Sequence, residues 1–173
     1  MKRDPVRATV LASKIIPNVS PNLAKQLNLE PDQKSLALLT TDCDDVGYTA
    51  VDEATKKADV KVVYAKSFYG GAANANTKLA GEFIGILAGP NPAEVKAGLQ
   101  AAVDMVENVA HFISANEDDS IVYYAQCISR TGSYPSETNF GGALLTGSQS
   151  ACKSDCEAFA AAVEFVADTP RVE

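Results

Sequence analysis

The chain has 173 residues, 46% of them hydrophobic, which is enough for one sizeable core or two small ones packed together. Its 22 acidic and 15 basic residues give a formal charge of -7, which argues against nucleic acid, whose binding needs clustered Lys and Arg on phosphates. No apolar run approaches the ~18 residues of a membrane span, and Met1-Lys2-Arg3-Asp4-Pro5 leads into no signal-like apolar segment. A cytoplasmic chain with reduced thiols at Cys43, Cys127, Cys152 and Cys156 is expected.

Val6, Ala8, Val10 and Ala12 alternate with more polar residues, a period of two that predicts one strand running on to Ile15-Ile16. After the turn at Pro17-Asn18-Val19, Ser20 is placed to cap a short helix that begins at Pro21 and ends near Asn28. Ser35 to Thr41 is an apolar run suited to a buried strand. Ala50, Ala54 and Ala58 recur every four residues, which predicts a helix over Tyr48 to Ala58. Strands follow at Val60 to Ser67 and Gly81 to Leu87, the second ended by Gly89-Pro90. Asn91 then caps a long helix from Pro92 to about Val109. Asn116 to Ser120 is a polar turn, Ile121 to Ile128 a strand, and a last strand and helix close the chain. Strands and helices in this order predict an α/β (α+β) fold.

The chain partly repeats itself. Gly81 to Gly89 leads to a helix containing Ala101-Ala102-Val103-Asp104-Met105-Val106, and Phe140 to Gly147 leads to one containing Ala161-Ala162-Val163-Glu164-Phe165-Val166. A matched strand, glycine and helix point to duplication. The second copy has nothing that corresponds to Ser35 to Ser67.

Several residues invite a chemical reading. Asp42, Asp44 and Asp45 repel one another unless a cation or donor compensates them, so they hold an ammonium group, form a solvated acidic turn, or are helix-start acids favoured by the dipole. Glu82 interrupts an apolar strand and faces solvent, a pore or a partner. Cys152 and Cys156 share a helix face, but they lack the further ligands of a metal site. His111 is the only histidine and has no ligand motif around it. No nucleophile-base or phosphate-binding pattern occurs, so no catalytic residue, cofactor or metal is assigned.

Longer strings carry a family likeness. Thr41-Asp42-Cys43-Asp44-Asp45-Val46, Asp52-Glu53-Ala54-Thr55-Lys56 and Ala88-Gly89-Pro90-Asn91-Pro92-Ala93-Glu94 resemble the EutL family of bacterial microcompartment shell proteins of ethanolamine utilisation. So do Ser129-Arg130-Thr131-Gly132-Ser133-Tyr134, Glu137-Thr138-Asn139-Phe140 and Leu145-Thr146-Gly147-Ser148-Gln149. The resemblance implies tandem circularly permuted shell domains, here residues 1–109 and 110–173. It also implies a homotrimeric tile that pairs with other shell proteins, and pores of which one opens and closes. It points to Asp44, Asp45, Glu82, Phe112 and Thr138 as a small-pore site for ethanolamine, and to Lys56 as a residue at tile edges. The family has several dozen residues where Tyr134 is followed here by only Pro135-Ser136 before Glu137, so the second domain is expected to be incomplete. A small-molecule-binding or sensor domain that does not assemble is the alternative function.

Overall fold

The computed structural model describes residues 1–68, 81–126 and 145–169. They fall into two compact units, one of residues 8–68 and 81–110, the other of residues 1–7, 111–126 and 145–169.

The larger unit is built on a four-stranded antiparallel sheet. In chain order it holds β2 (Val10–Ile16), α1 (Pro21–Gln26), β3 (Ser35–Thr41), α2 (Asp44–Lys57), β4 (Lys61–Phe68), β5 (Glu82–Gly89) and α3 (Pro92–Asp104). The spatial order of the strands is β2-β3-β5-β4. The expected buried strand at Ser35–Thr41 is therefore central, and it pairs along its whole length with β5, from Ser35 opposite Gly89 to Thr41 opposite Phe83. Alternation explains the burial. Ser35, Ala37, Leu39 and Thr41 are almost fully enclosed, with Phe83, Gly85 and Leu87 beside them under the helices, while Leu38, Thr40, Ile84 and Ile86 on the other face are half-buried. Each fully enclosed Leu or Phe in this layer contributes roughly 1.5–3 kcal/mol of burial free energy.

The caps read from the sequence are present. Ser20 Oγ accepts from Leu23 N at 3.3 Å, and Asn91 Oδ1 accepts from Ala93 N at 2.9 Å and Glu94 N at 3.0 Å. The long helix after Asn91 continues beyond α3 as a π-helical turn, Met105–Val109. One helix boundary differs. α2 starts at Asp44, a full turn before the expected Tyr48. Its N-cap, Cys43, offers no side-chain bond, so nothing in the usual capping code marks the start. Asp44 and Asp45 are first-turn residues, the helix-start alternative of the sequence reading, favoured there by the helix dipole.

The smaller unit holds β1 (Pro5–Val6), β6 (Phe112–Ser114), β7 (Val122–Tyr123) and α4 (Gln149–Asp168), with the strands in the order β1-β6-β7. The single expected strand from Val6 to Ile16 is thus two strands in two sheets. The alternation, broken only by Leu11, hid the change of partner. The strand expected over Ile121 to Ile128 is only Val122–Tyr123, and residues 124–126 are not in strand; Cys127 and Ile128 lie outside the described residues. Most of the strand expected over Phe140 to Gly147 lies outside them as well. The closing helix is present as α4, capped by Ser148 Oγ, which accepts from Ala151 N at 3.2 Å. Within this unit Arg3 meets Glu164 at 2.8 Å and Tyr123 Oη donates to the same carboxylate at 3.0 Å, while Lys2 meets Asp168 at 2.6 Å.

Candidate functional site: an acidic end of the larger sheet

The register places three ends together. Thr41 and Ser67 both lie opposite Phe83, and Phe68 lies opposite Glu82, so the ends of β3 and β4 and the start of β5 share one edge of the sheet. The chain turns from β3 into α2 at this edge. Thr41 Oγ1 donates to the Cys43 carbonyl at 2.6 Å and fixes that turn.

The acidic string then divides by function. Asp42 Oδ1 accepts from Thr9 N at 2.6 Å, so this carboxylate ties the turn to the segment ahead of β2. Asp44 is fully buried, and its Oδ1 accepts from the backbone N–H of Asp45 at 2.8 Å. Asp45 is half-buried, and its carbonyl accepts from Thr49 Oγ1 at 3.0 Å. Burial, then the neighbouring Asp44 charge, pushes the Asp45 carboxyl up to about 7. Burial likewise pushes the Cys43 thiol far above its ordinary range, so it stays a neutral thiol.

Glu82, at the start of β5, is only 5% exposed, which overturns the solvent-facing reading of this residue. Enclosing a carboxylate is costly unless charge or hydrogen bonding compensates it. Beside it, Phe83 is fully buried and meets the Tyr48 ring edge-on at 4.8 Å, and Tyr48 Oη lies 3.4 Å from Ser67 Oγ. Sequence reasoning passed over Gly47, Tyr48 and Phe83. With the helix expected to begin only at Tyr48, no local signal marked Gly47.

The other expected site residues are placed differently. Phe112 belongs to β6 of the smaller unit, where its ring stacks on Tyr124 at 4.9 Å. Thr138 lies outside the described residues. Lys56, in the last turn of α2, meets the buried carboxylate of Asp52 at 2.7 Å and Glu53 at 3.4 Å. Partial burial works against its charge, but the hydrogen bond and charge of Asp52, aided by Glu53, prevail and raise its pKa. Cys152 and Cys156 are half-buried on α4, and His111 is half-buried between the π-helical turn and β6. Among the described residues, no group of three or more His, Cys, Asp or Glu side chains is arranged to hold a metal ion, and no helix is long and apolar enough to cross a membrane. Chemically, the acidic edge suits attraction of a small organic cation, since it offers carboxylates without a nucleophile-base pair.

Known proteins share this architecture. The BMC domain family matches residues 35–117. The bacterial microcompartment shell protein EutL of Clostridium perfringens is 54% identical over 214 residues, covering 98% of this chain and 99% of that protein. That span exceeds the 173 residues present here, so part of the relative has no counterpart in this chain. The EutL shell protein of Escherichia coli is 39% identical, with 96% of each chain covered. The crystal structure of ethanolamine utilization protein EutL from Leptotrichia buccalis superposes with a TM-score of 0.84 at 55% identity, over 100% of both chains. The mixed helix and sheet content agrees with the tandem, circularly permuted shell fold expected from the sequence. Identity at this level across almost the whole length shows that the chain belongs to the EutL family of bacterial microcompartment shell proteins, as a structural component of the shell and not an enzyme.

Proposed function

We propose that the chain forms a homotrimeric, pore-bearing tile that assembles with other shell proteins, and that its pore responds to ethanolamine held at the acidic edge. The observation that carries this reading is the placement of Asp44, Asp45 and Glu82 at one end of a single sheet, two of them almost fully buried. A primary ammonium is the complement of such a site, because it exchanges charge for charge and donates hydrogen bonds to carboxylates. The relatives' names support the choice of ligand, since the Leptotrichia protein is an ethanolamine utilization protein. In this reading Lys56, held by Asp52, packs at the tile edge. The two shell domains are residues 1–109 and 110–173, with Pro5–Val6 completing the small sheet of the second through β6.

Calorimetry with ethanolamine on the native chain and on Asp45→Ala tests the site. Binding by the native chain that is lost in the variant is expected, and equal binding by both removes the assignment. Analytical ultracentrifugation with electron microscopy tests the tile. A trimer that forms sheets is expected, whereas a strict monomer that still binds ethanolamine would favour a non-assembling binding or sensor domain.

A further inference from the structure

The start of α2 and the start of β5 approach each other with no room to spare. A methyl group at Gly47 would come within 2.3 Å of Phe83 Cδ1, 2.4 Å of its Cγ and 2.8 Å of its Cβ. Relief cannot come from the ring alone, because Phe83 Cβ is fixed to the β5 backbone. The ring is confined further along as well. A methyl group at Gly85 would meet Phe83 Cε1 at 2.7 Å and Val51 Cγ1 at 2.7 Å, and the Tyr48 ring stands 4.8 Å away. Carbon atoms rest at roughly 3.5–4.0 Å from one another, so a side chain at Gly47 would part helix from strand by about 1 Å.

This contact lies beside the acidic residues in sequence as well as in space. Asp44 and Asp45 occupy the same helical turn as Gly47, whose N–H donates to the Cys43 carbonyl at 3.1 Å. Glu82 directly precedes Phe83 on β5. Resting on the reading of this edge as an ammonium site, we propose that Gly47 is a positioning residue. Its missing side chain lets Phe83 lie against the first turn of α2, and so sets where Asp44 and Asp45 stand relative to Glu82. Gly47 touches no ligand in this arrangement; it acts through the two acids.

The test compares Gly47→Ala with Leu87→Ala, both in the full chain. Leu87 is buried at the other end of β5, near Gly98 of α3, so its truncation loosens the core without touching the first turn of α2. Two quantities are read at matched loss of thermal stability: ethanolamine affinity by calorimetry, and the titration midpoint of the Asp45 carboxyl by carbon-detected NMR. Gly47→Ala is expected to weaken binding at least about ten-fold, in line with the cost of misplacing site groups by ~1 Å. It should also lower the Asp45 midpoint, because a displaced first turn lets water reach the carboxyl. Leu87→Ala should leave both unchanged. An unchanged affinity and midpoint in Gly47→Ala overturns the proposal, and so does an equal shift of both in Leu87→Ala. Should Gly47→Ala not fold, Phe83→Leu removes the ring that seats the turn and is expected to move the same two readings; no movement overturns the proposal. Failure of the native chain to bind ethanolamine would count against the ligand reading alone, since the Asp45 midpoint decides the positioning without any ligand.

Discussion

The buried carboxylate of Asp52 receives the ammonium of Lys56 at 2.7 Å, one turn further along α2. Lys56 therefore does two things: it compensates an enclosed charge, and it closes the last turn of the helix, where a cation suits the dipole. Lys56→Met is expected to destabilise the chain by about 1–3 kcal/mol, because the enclosed carboxylate loses a charged donor. Asp52→Asn combined with Lys56→Met should recover much of that loss, as replacing both partners of a buried pair generally does. Urea denaturation of the two single variants and the double variant measures the coupling directly. Additive losses would show that the pair contributes nothing of its own.

Asp45 makes stability depend on pH with a definite sign. Its folded pKa of about 7 lies above the ordinary value of 3.8, so between these two values the native state holds more proton than the unfolded state. Stability from this group is therefore greatest below the unfolded pKa and declines as pH rises through about 7. Asp45→Asn removes the titration, and at pH 8 it is expected to be more stable than the native chain by roughly 1–4 kcal/mol, with little difference at pH 4. Denaturation curves at both values check this. Binding of an ammonium ligand should run the opposite way and strengthen above pH 7, where the carboxylate is charged.

The caps differ from the surface ion pairs in what they contribute. Asn91 serves two orphan N–H groups at the start of α3, and Asn91→Ala should cost about 0.5–2 kcal/mol. Arg3 also makes a close bond, to Glu164, but Arg3 is 72% exposed. Arg3→Ala should cost less than Asn91→Ala, because water screens an exposed pair. Thermal melts of the two variants side by side test the ranking.

Thiol accessibility separates Cys43 from the helix pair. Cys43 is fully enclosed and its thiol is held neutral, whereas Cys152 and Cys156 are half-buried on α4. In a Cys127→Ser background, an aromatic disulfide reagent should modify Cys152 and Cys156 promptly, and Cys43 only at the rate of unfolding. Fast loss of all three thiols would contradict the enclosure of Cys43.

What the sequence made legible follows from the range over which each signal acts. β3 and α3 were readable because a continuous apolar run and an Asn-Pro cap are local signals. β6, three residues long, is too short for any periodicity, and it exists because Val6 and Tyr123 flank it in the sheet. The start of α2 was hidden because Asp44 and Asp45 suit a turn and a first helical turn equally well, and only the tertiary seat against Phe83 decides. The acidic residues of the site were visible as residue types. That Asp42 turns away to bond Thr9, while Glu82 sits enclosed, depends on pairing between distant strands.

The division of the first sixteen residues between two sheets bears on the order in which the chain can fold. β2 meets β3 across a connection that contains α1, far shorter than the span from β1 to β6, and β4 and β5 follow within the same unit. β1 must instead wait for β6, since Val6 pairs with Phe112. Closing so long a loop costs conformational entropy before any contact rewards it, so the larger sheet gains its native pairing first. β1 is thus among the last strands to find its place, although it precedes β2 in sequence. A strand that joins late is where a fluorescent label would report completion of the second unit apart from the first.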